Sequence, residues 1–189
     1  MLDEAHATGL FGQHRRGLAE AFELGERVEI QMGTLGKALG SAGGYICGSR
    51  RLIQVLINKA RSFIFSTAPA AATAAAATAA IQLAQSEEGE QRRNLLWSNV
   101  DQVKNGLVGS AWQIPVVRSA IIPIIVGDEA KAVAVAAELT ELGIFIPAIR
   151  YPTVARGQAR LRLTISAAHS SADIAALLAA LKHCCEKPG

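Results

Sequence analysis

The sequence predicts an α/β architecture. Short runs of apolar–polar alternation recur along the chain between stretches whose apolar residues repeat at helical spacing. Glycine or proline stands at most changes of period. Half of the 189 residues are hydrophobic and 19% are charged, a balance that supports a sizeable core.

Taken in order, Met1–Leu2 reads as the middle of a strand that delivers Asp3. Val28–Met32 alternates apolar and polar between glycines and predicts a second strand; Gly44–Gly48 predicts a third. Residues 51–60 place Leu52, Val55, Leu56 and Lys59 on one helical face. Ser62–Ser66, with two phenylalanines around Ile64, predicts a strand ending in Ser66-Thr67. Pro69 stands where a helix begins, and the alanine-rich run after it predicts that helix. Its side chains carry too little hydrophobicity to insert in lipid. Residues 87–90 interrupt or bend it, and a further helix runs to about Leu107.

A change of style at Gly109-Ser110 predicts a division into residues 1–107, the remainder of a larger sheet domain with its connecting helix, and 108–189, a small α/β domain. In the second part, Ile121–Val126 predicts a buried strand whose Pro123 favours an edge or a bulge. Glu129–Leu142 predicts a helix closed by Gly143. Ile144–Ile146 and Arg160–Ile165 predict strands, the latter alternating arginine with leucine so that one face is buried. Ser170, Ser171 and Asp173 cap a last helix that ends near Lys182.

Several chemistries are disfavoured. The net charge of +3 is spread without a long basic run, which gives no case for nucleic acid or an anionic membrane. Cys47, Cys184 and Cys185 do not form a disulfide framework, and they suit a reducing, cytoplasmic setting. His183-Cys184-Cys185 lacks a second ligand pair at metal spacing, so no metal is expected. Asp3-Glu4-Ala5-His6 is also the spelling of a helicase ATPase box. The phosphate loop such a site needs fails here, because Ala38 follows Gly36-Lys37 and Gln31 stands five positions before Gly36.

The same residues make better sense as a pyridoxal-phosphate (PLP) site. Lys37 lies among glycines and small residues, Gly33 to Gly44, and a desolvated pocket of that kind yields the neutral amine that attacks an aldehyde. An ordinary turn lysine is the competing reading. Asp3 would hold the pyridine nitrogen protonated, and His6 would bond the phenolic oxygen or the substrate carbonyl. Singly, either residue reads as a cap or a surface group; their weight comes from co-occurrence with the lysine block.

Four blocks occur in an order that resembles the PLP-dependent α-oxoamine synthases of aminotransferase fold type I: residues 3–9, 33–40, 62–67, and 152–154 with 159–164. The resemblance covers essentially the whole chain, and the wording around Lys37 favours the branch that joins L-alanine to a pimeloyl thioester in biotin synthesis. It implies a partial type I fold. Lys37 then matches the Schiff-base lysine, Asp3 the pyridinium partner and His6 the neighbour of the phenolic oxygen. Thr34 matches a phosphate ligand, and Ser66 with Thr67 a phosphate contact given across a homodimer interface. Arg150 matches the arginine that pairs the substrate carboxylate, and Thr153 a substrate contact. Another amino acid with another acyl thioester, or an inactive dimerising remnant, stays open. The family's N-terminal half has no counterpart here. The expectation is therefore a C-terminal portion in which Met1 is internal, and which alone binds PLP weakly and turns over little.

Overall fold

In the computed structural model, which describes residues 1–116 and 118–186, the chain forms two three-stranded sheets. They belong to two compact units, Met1–Arg93 and Asn94–Gly189.

The first unit opens with β1 (Leu2–Asp3), α1 (Leu18–Ala21) and a single 3-10 turn at Gly25–Arg27. Then come β2 (Ile30–Thr34), β3 (Gly44–Gly48), α2 (Arg50–Lys59), α3 (Arg61–Ile64), α4 (Ala71–Gln85) and the first turns of α5 (Glu87–Gly106). The sheet order is β1-β2-β3. β1 and β2 are parallel, with Asp3 opposite Met32, while β3 returns antiparallel with Gly44 opposite Thr34. The Ser49 hydroxyl caps α2 by accepting from Leu52 N at 3.2 Å. Leu52, Ile53 and Leu56 form the half-buried face of that helix, whereas Val55 is exposed. On α4 the buried stripe is narrow: Ala77 is buried and Thr73, Ala80 and Ala84 are half-buried, at the spacing of successive turns.

Residues 62–66 are not a strand. The Ala60 carbonyl accepts from Phe63 N at 3.0 Å and Ile64 N at 2.9 Å, and Arg61 O from Phe65 N at 3.0 Å, which closes the helical turn α3. The aromatic content suggests β structure, but these side chains are exposed and, among the described residues, no strand pairs with them; propensity without a partner does not make a strand.

The second unit contains the rest of α5, β4 (Ile121–Gly127), α6 (Glu129–Glu141), β5 (Ala148–Ile149), β6 (Ala159–Thr164) and α7 (Ser171–Glu186). Its sheet has the order β4-β6-β5 and both pairings are antiparallel. Pro123 therefore sits on an edge strand, where its missing N–H costs little, and the register slips between Ile125 and Gly127. Along β6, Ala159, Leu161 and Leu163 are buried while Arg162 and Thr164 are exposed. Leu161 faces Ile124 and Leu163 faces Ile122 across the ladder. Ala132, Val135 and Leu139 of α6 and Ile174, Leu177 and Leu181 of α7 are buried at helical spacing. Asp128 caps α6 through Lys131 N at 2.7 Å, and Gly143 closes it at φ 78°. Asp173 accepts from the Ser170 N–H and hydroxyl, both at 2.8 Å, before α7. Ile144–Ile146 is irregular rather than a strand. The short strand comes later, at Ala148–Ile149, after the Ile144 amide has closed the α6 terminus on Leu139 O at 2.8 Å.

The units differ in what they bury. The apolar side chains buried in the first are Ala5, Ala7, Ala19, Leu39 and Ala77, and large ones such as Phe22, Ile46, Phe63 and Phe65 are exposed. The second buries Trp97, Val100, Ile124, Leu139, Leu161 and Leu181 among others. Buried Asn99 ties α5 to the turn before α7, donating to His169 O at 2.9 Å and Ser166 O at 3.2 Å. Among the described residues, no helix is long and apolar enough to cross a membrane, and no cluster of His, Cys, Asp or Glu is placed to hold a metal ion.

Leu161→Ala is expected to destabilise the second unit by about 2–5 kcal/mol, read from urea unfolding, because a fully buried leucine leaves a cavity. In the first unit the Arg93 guanidinium, bonded to the Glu90 carboxylate, holds its pKa below the usual range against partial desolvation; the charges of Arg93 and Arg15 add to this. A lowered carboxylate contributes stability above its unfolded pKa and loses it as pH falls through the folded one. Urea midpoints measured from the ordinary glutamate range downward should thus fall less steeply with acid in Glu90→Gln than in the native chain.

Candidate functional site

Parallel pairing puts the carboxyl ends of β1 and β2 at the same end of the first sheet, where ligands of open α/β sheets collect. Asp3 ends β1, Thr34 ends β2, and Lys37 lies in the loop 35–43 that follows. Strand alternation sorts the side chains. Asp3, Met32 and Thr34 share one face, while Gln31, Gly33, Tyr45 and Cys47 lie on the other.

The loop carrying Lys37 is folded on itself. Leu35 N donates to Gly43 O at 2.9 Å, Ser41 N to Leu35 O at 2.8 Å, and Gly40 N to Lys37 O at 3.0 Å. The Thr34 hydroxyl braces the loop from inside, donating to Gly43 O at 3.1 Å and accepting from Gly36 N at 3.2 Å. A phosphate oxygen would need the proton that this hydroxyl now gives to Gly43. Ser41 Oγ pins the loop to α4 through Thr73 O at 2.8 Å. Gly43, at φ 106°, makes the return into β3 in a region that L side chains rarely adopt. Lys37 itself is exposed among the described residues, and the hydrogen bonds of the loop hold its backbone.

After β1 the chain turns sharply. Asp3 Oδ1 accepts from Ala5 N at 2.8 Å, and among the described residues Oδ2 has no hydrogen-bond partner. Asp3 and His6 are exposed, whereas Glu4, Ala5 and Ala7 point inward and are buried. Glu4, 2% exposed, accepts from Leu18 N at 2.8 Å and Ala19 N at 2.7 Å. On the opposite face of the sheet, Tyr45 passes over Gly33, where a Cβ would overlap its phenol, and bonds Thr8 Oγ1 at 2.8 Å. A cavity of about 440 Å³ lies on that side, lined by Glu4, Thr8, Arg16, Tyr45, Cys47 and Ile81 among others; it contains neither Lys37 nor Asp3.

The structure thus gathers Asp3, His6, Thr34 and Lys37 at one sheet end. Ser66 and Thr67 lie on the exposed segment after α3, with Ser66 Oγ bonded to Ser62 O. Arg150 and Thr153 belong to the second unit and share one exposed turn, closed by Thr153 N to Arg150 O at 3.0 Å. Sequence reasoning gave Glu4, Ser41 and Tyr45 no role. Only Tyr45 left a trace in the sequence, as an aromatic directly across a strand pair from a glycine.

A family model described as aminotransferase class I and II matches residues 1–181. The chain is 46% identical over 180 residues to 8-amino-7-oxononanoate synthase of Anaeromyxobacter dehalogenans (strain 2CP-C), covering 95% of this chain and 45% of that protein. It is 43% identical over 189 residues to 8-amino-7-oxononanoate synthase of Geotalea daltonii, covering 100% of this chain and 48% of that protein. Among solved structures, serine palmitoyltransferase from S. paucimobilis with a bound PLP–myriocin aldimine superposes with a TM-score of 0.91 at 27% identity, over 96% of this chain and 46% of that one. The 8-amino-7-oxononanoate synthase from Francisella tularensis gives 0.84 at 25% identity, over 96% and 53%. The chain spans about half the length of the curated relatives it matches.

Gly43→Ala should cost about 1–3 kcal/mol through backbone strain at its positive φ. Gly40→Asn sits in the left-handed helical region, φ 58°, with nothing within 4 Å of a Cβ, and should change stability by less than about 1 kcal/mol. Paired urea titrations of the two variants check the contrast.

Proposed function

The chain belongs to the aminotransferase class I and II family, and we propose that it carries the lysine of a PLP site that condenses L-alanine with a pimeloyl thioester. The products are 8-amino-7-oxononanoate, carbon dioxide and the free thiol, on the route to biotin. The observation that carries this reading is the placement of Asp3, Thr34 and Lys37 at one end of a parallel strand pair, with Asp3 and Thr34 on a common face. The choice of alanine and a pimeloyl group is supported by the names of the relatives.

The donor set fits the cofactor. Asp3 offers Oδ2 to a pyridinium N–H, and Lys37 offers an exposed primary amine for covalent attachment. When bound, PLP supplies an electrophilic carbon for amines and an electron sink for charge developing at an amino acid's Cα. Lys37 would hold the cofactor and, once displaced by the substrate amine, take the Cα proton at Nζ. His6 would hydrogen-bond the ring oxygen. Arg150 would grip the alanine carboxylate with two parallel N–H donors, and Thr153 on the same turn would contact the substrate. A new bond joins alanine's Cα to the acyl carbon as the carbon–sulfur bond breaks. The carboxylate then leaves as carbon dioxide, and its electron pair is reprotonated. Ser66 and Thr67, exposed on their own segment, suit a phosphate contact offered to a second copy of the chain.

Borohydride reduction of the PLP-treated chain followed by peptide mass mapping tests the assignment. Pyridoxyl label is expected on Lys37 in preference to Lys59, Lys104, Lys131 and Lys182, and Asp3→Asn should lower the yield at Lys37 several-fold. Label spread evenly over the lysines, or no label on Lys37, overturns the reading.

A further inference from the structure

We propose that Glu4 is a positioning residue for Asp3 and His6, coupling the turn that presents them to the start of α1. The inference rests on the PLP reading for its purpose and on geometry alone for its existence. Six hydrogen bonds converge on this one residue. Its amide donates to Met32 O at 2.7 Å and so extends the β1–β2 ladder past Asp3. Its carbonyl accepts from Ala7 N at 2.8 Å, Thr8 N at 2.9 Å and Thr8 Oγ1 at 3.1 Å, which fixes the turn around His6. Its carboxylate accepts from Leu18 N and Ala19 N, amides that α1 cannot satisfy internally and for which Gly17, the residue before the helix, offers no side chain.

The site is built around that carboxylate. A Cβ on Gly17 would lie 2.6 Å from the Glu4 carboxyl carbon, so glycine there leaves the room Glu4 occupies. Asp3 precedes and His6 follows within two residues of a position held at both its backbone and its side chain, so the backbone that carries them is tied down by these bonds. Preorganisation of this kind is what ring-contacting groups require. Glu20 supplies a comparison in the same stretch of chain. It accepts from His14 N at 3.0 Å and Arg16 N at 3.0 Å but touches nothing in the Asp3–His6 turn.

Amide hydrogen exchange on the full chain, read by NMR, separates positioning from simple helix capping. Glu4→Gln keeps the shape but turns an acceptor into a donor facing an amide. It is expected to speed exchange at Ala5, Ala7 and Thr8, as well as at Leu18 and Ala19, by about tenfold or more, leaving Ile46 in β3 unchanged. Glu20→Gln is expected to leave Ala5, Ala7 and Thr8 unchanged. If Glu4→Gln speeds only Leu18 and Ala19, Glu4 is a cap and the proposal is overturned. Should that variant fail to fold, Gly17→Ala, which displaces the carboxylate while retaining Glu4, is judged by the same amides. In PLP labelling, Glu4→Gln should lower the Lys37 yield several-fold and Glu20→Gln should not. Absence of Lys37 labelling in the native chain refutes the PLP reading, whereas unchanged Ala5, Ala7 and Thr8 amides refute this one.

Discussion

A carboxylate buried to 2% exposure, satisfied by two backbone amides fourteen and fifteen residues further along, is the constraint on which the first unit depends. Burying such a group without partners costs several kcal/mol, so the loop between β1 and α1 has to return to Glu4. That return explains other choices in the loop. Gly17 is positive in φ and without a side chain, Gly9 N reaches Arg15 O at 2.8 Å, and Gly17 N reaches Phe11 O at 3.0 Å. Arg15, brought back by the same path, bonds Ala84 O and Glu90. A unit whose apolar interior is mostly alanine is therefore organised by polar contacts.

On that frame, strand direction decides what the site can be. Had β1 and β2 been antiparallel, Asp3 and Thr34 would lie at opposite ends of the sheet. Parallel pairing joins them, and alternation then separates their face from that of Tyr45 and Cys47. The antiparallel return of β3 sets the length of the lysine loop, and Thr34 spends its hydroxyl on holding it. Thr34 is thus a loop brace first. A phosphate role has to compete with the Gly43 carbonyl, worth about 0.5–1.5 kcal/mol net, a cost that a charge-assisted bond to phosphate can offset.

Local pattern was legible where burial followed it. Arg160–Ile165 alternates in sequence and in burial because one face of β6 packs against α6. Asp128, Gly143 and Ser170 act at helix ends as their chemistry dictates. The pattern misled where side chains met no partner. Ser62–Ser66 has strand composition, yet Ala60's carbonyl and the turn that follows decide its state. Ile144–Ile146 also has strand composition, although the Ile144 amide is already committed to Leu139. The lysine loop and the Asp3–His6 turn were visible as words in the sequence. Glu4's partners were not, since nothing local links residue 4 to residues 18 and 19.

If Lys37 is the PLP lysine, as proposed, its selectivity over the other lysines depends on how the cofactor is held beside it. Any free lysine amine can add to an aldehyde, so preference for one needs something that holds the aldehyde's carrier beside it. Orientation can raise an effective concentration by orders of magnitude without any change in the nucleophile, provided the holding groups are rigid. Rigidity is what the surrounding hydrogen bonds supply: Ser41 to α4, Thr34 across the loop, and Glu4 behind Asp3. On the proposed reading, the chemistry of a lysine among glycines rests also on the buried acid beside Asp3. That acid, Glu4, stands directly after Asp3 and two residues before His6.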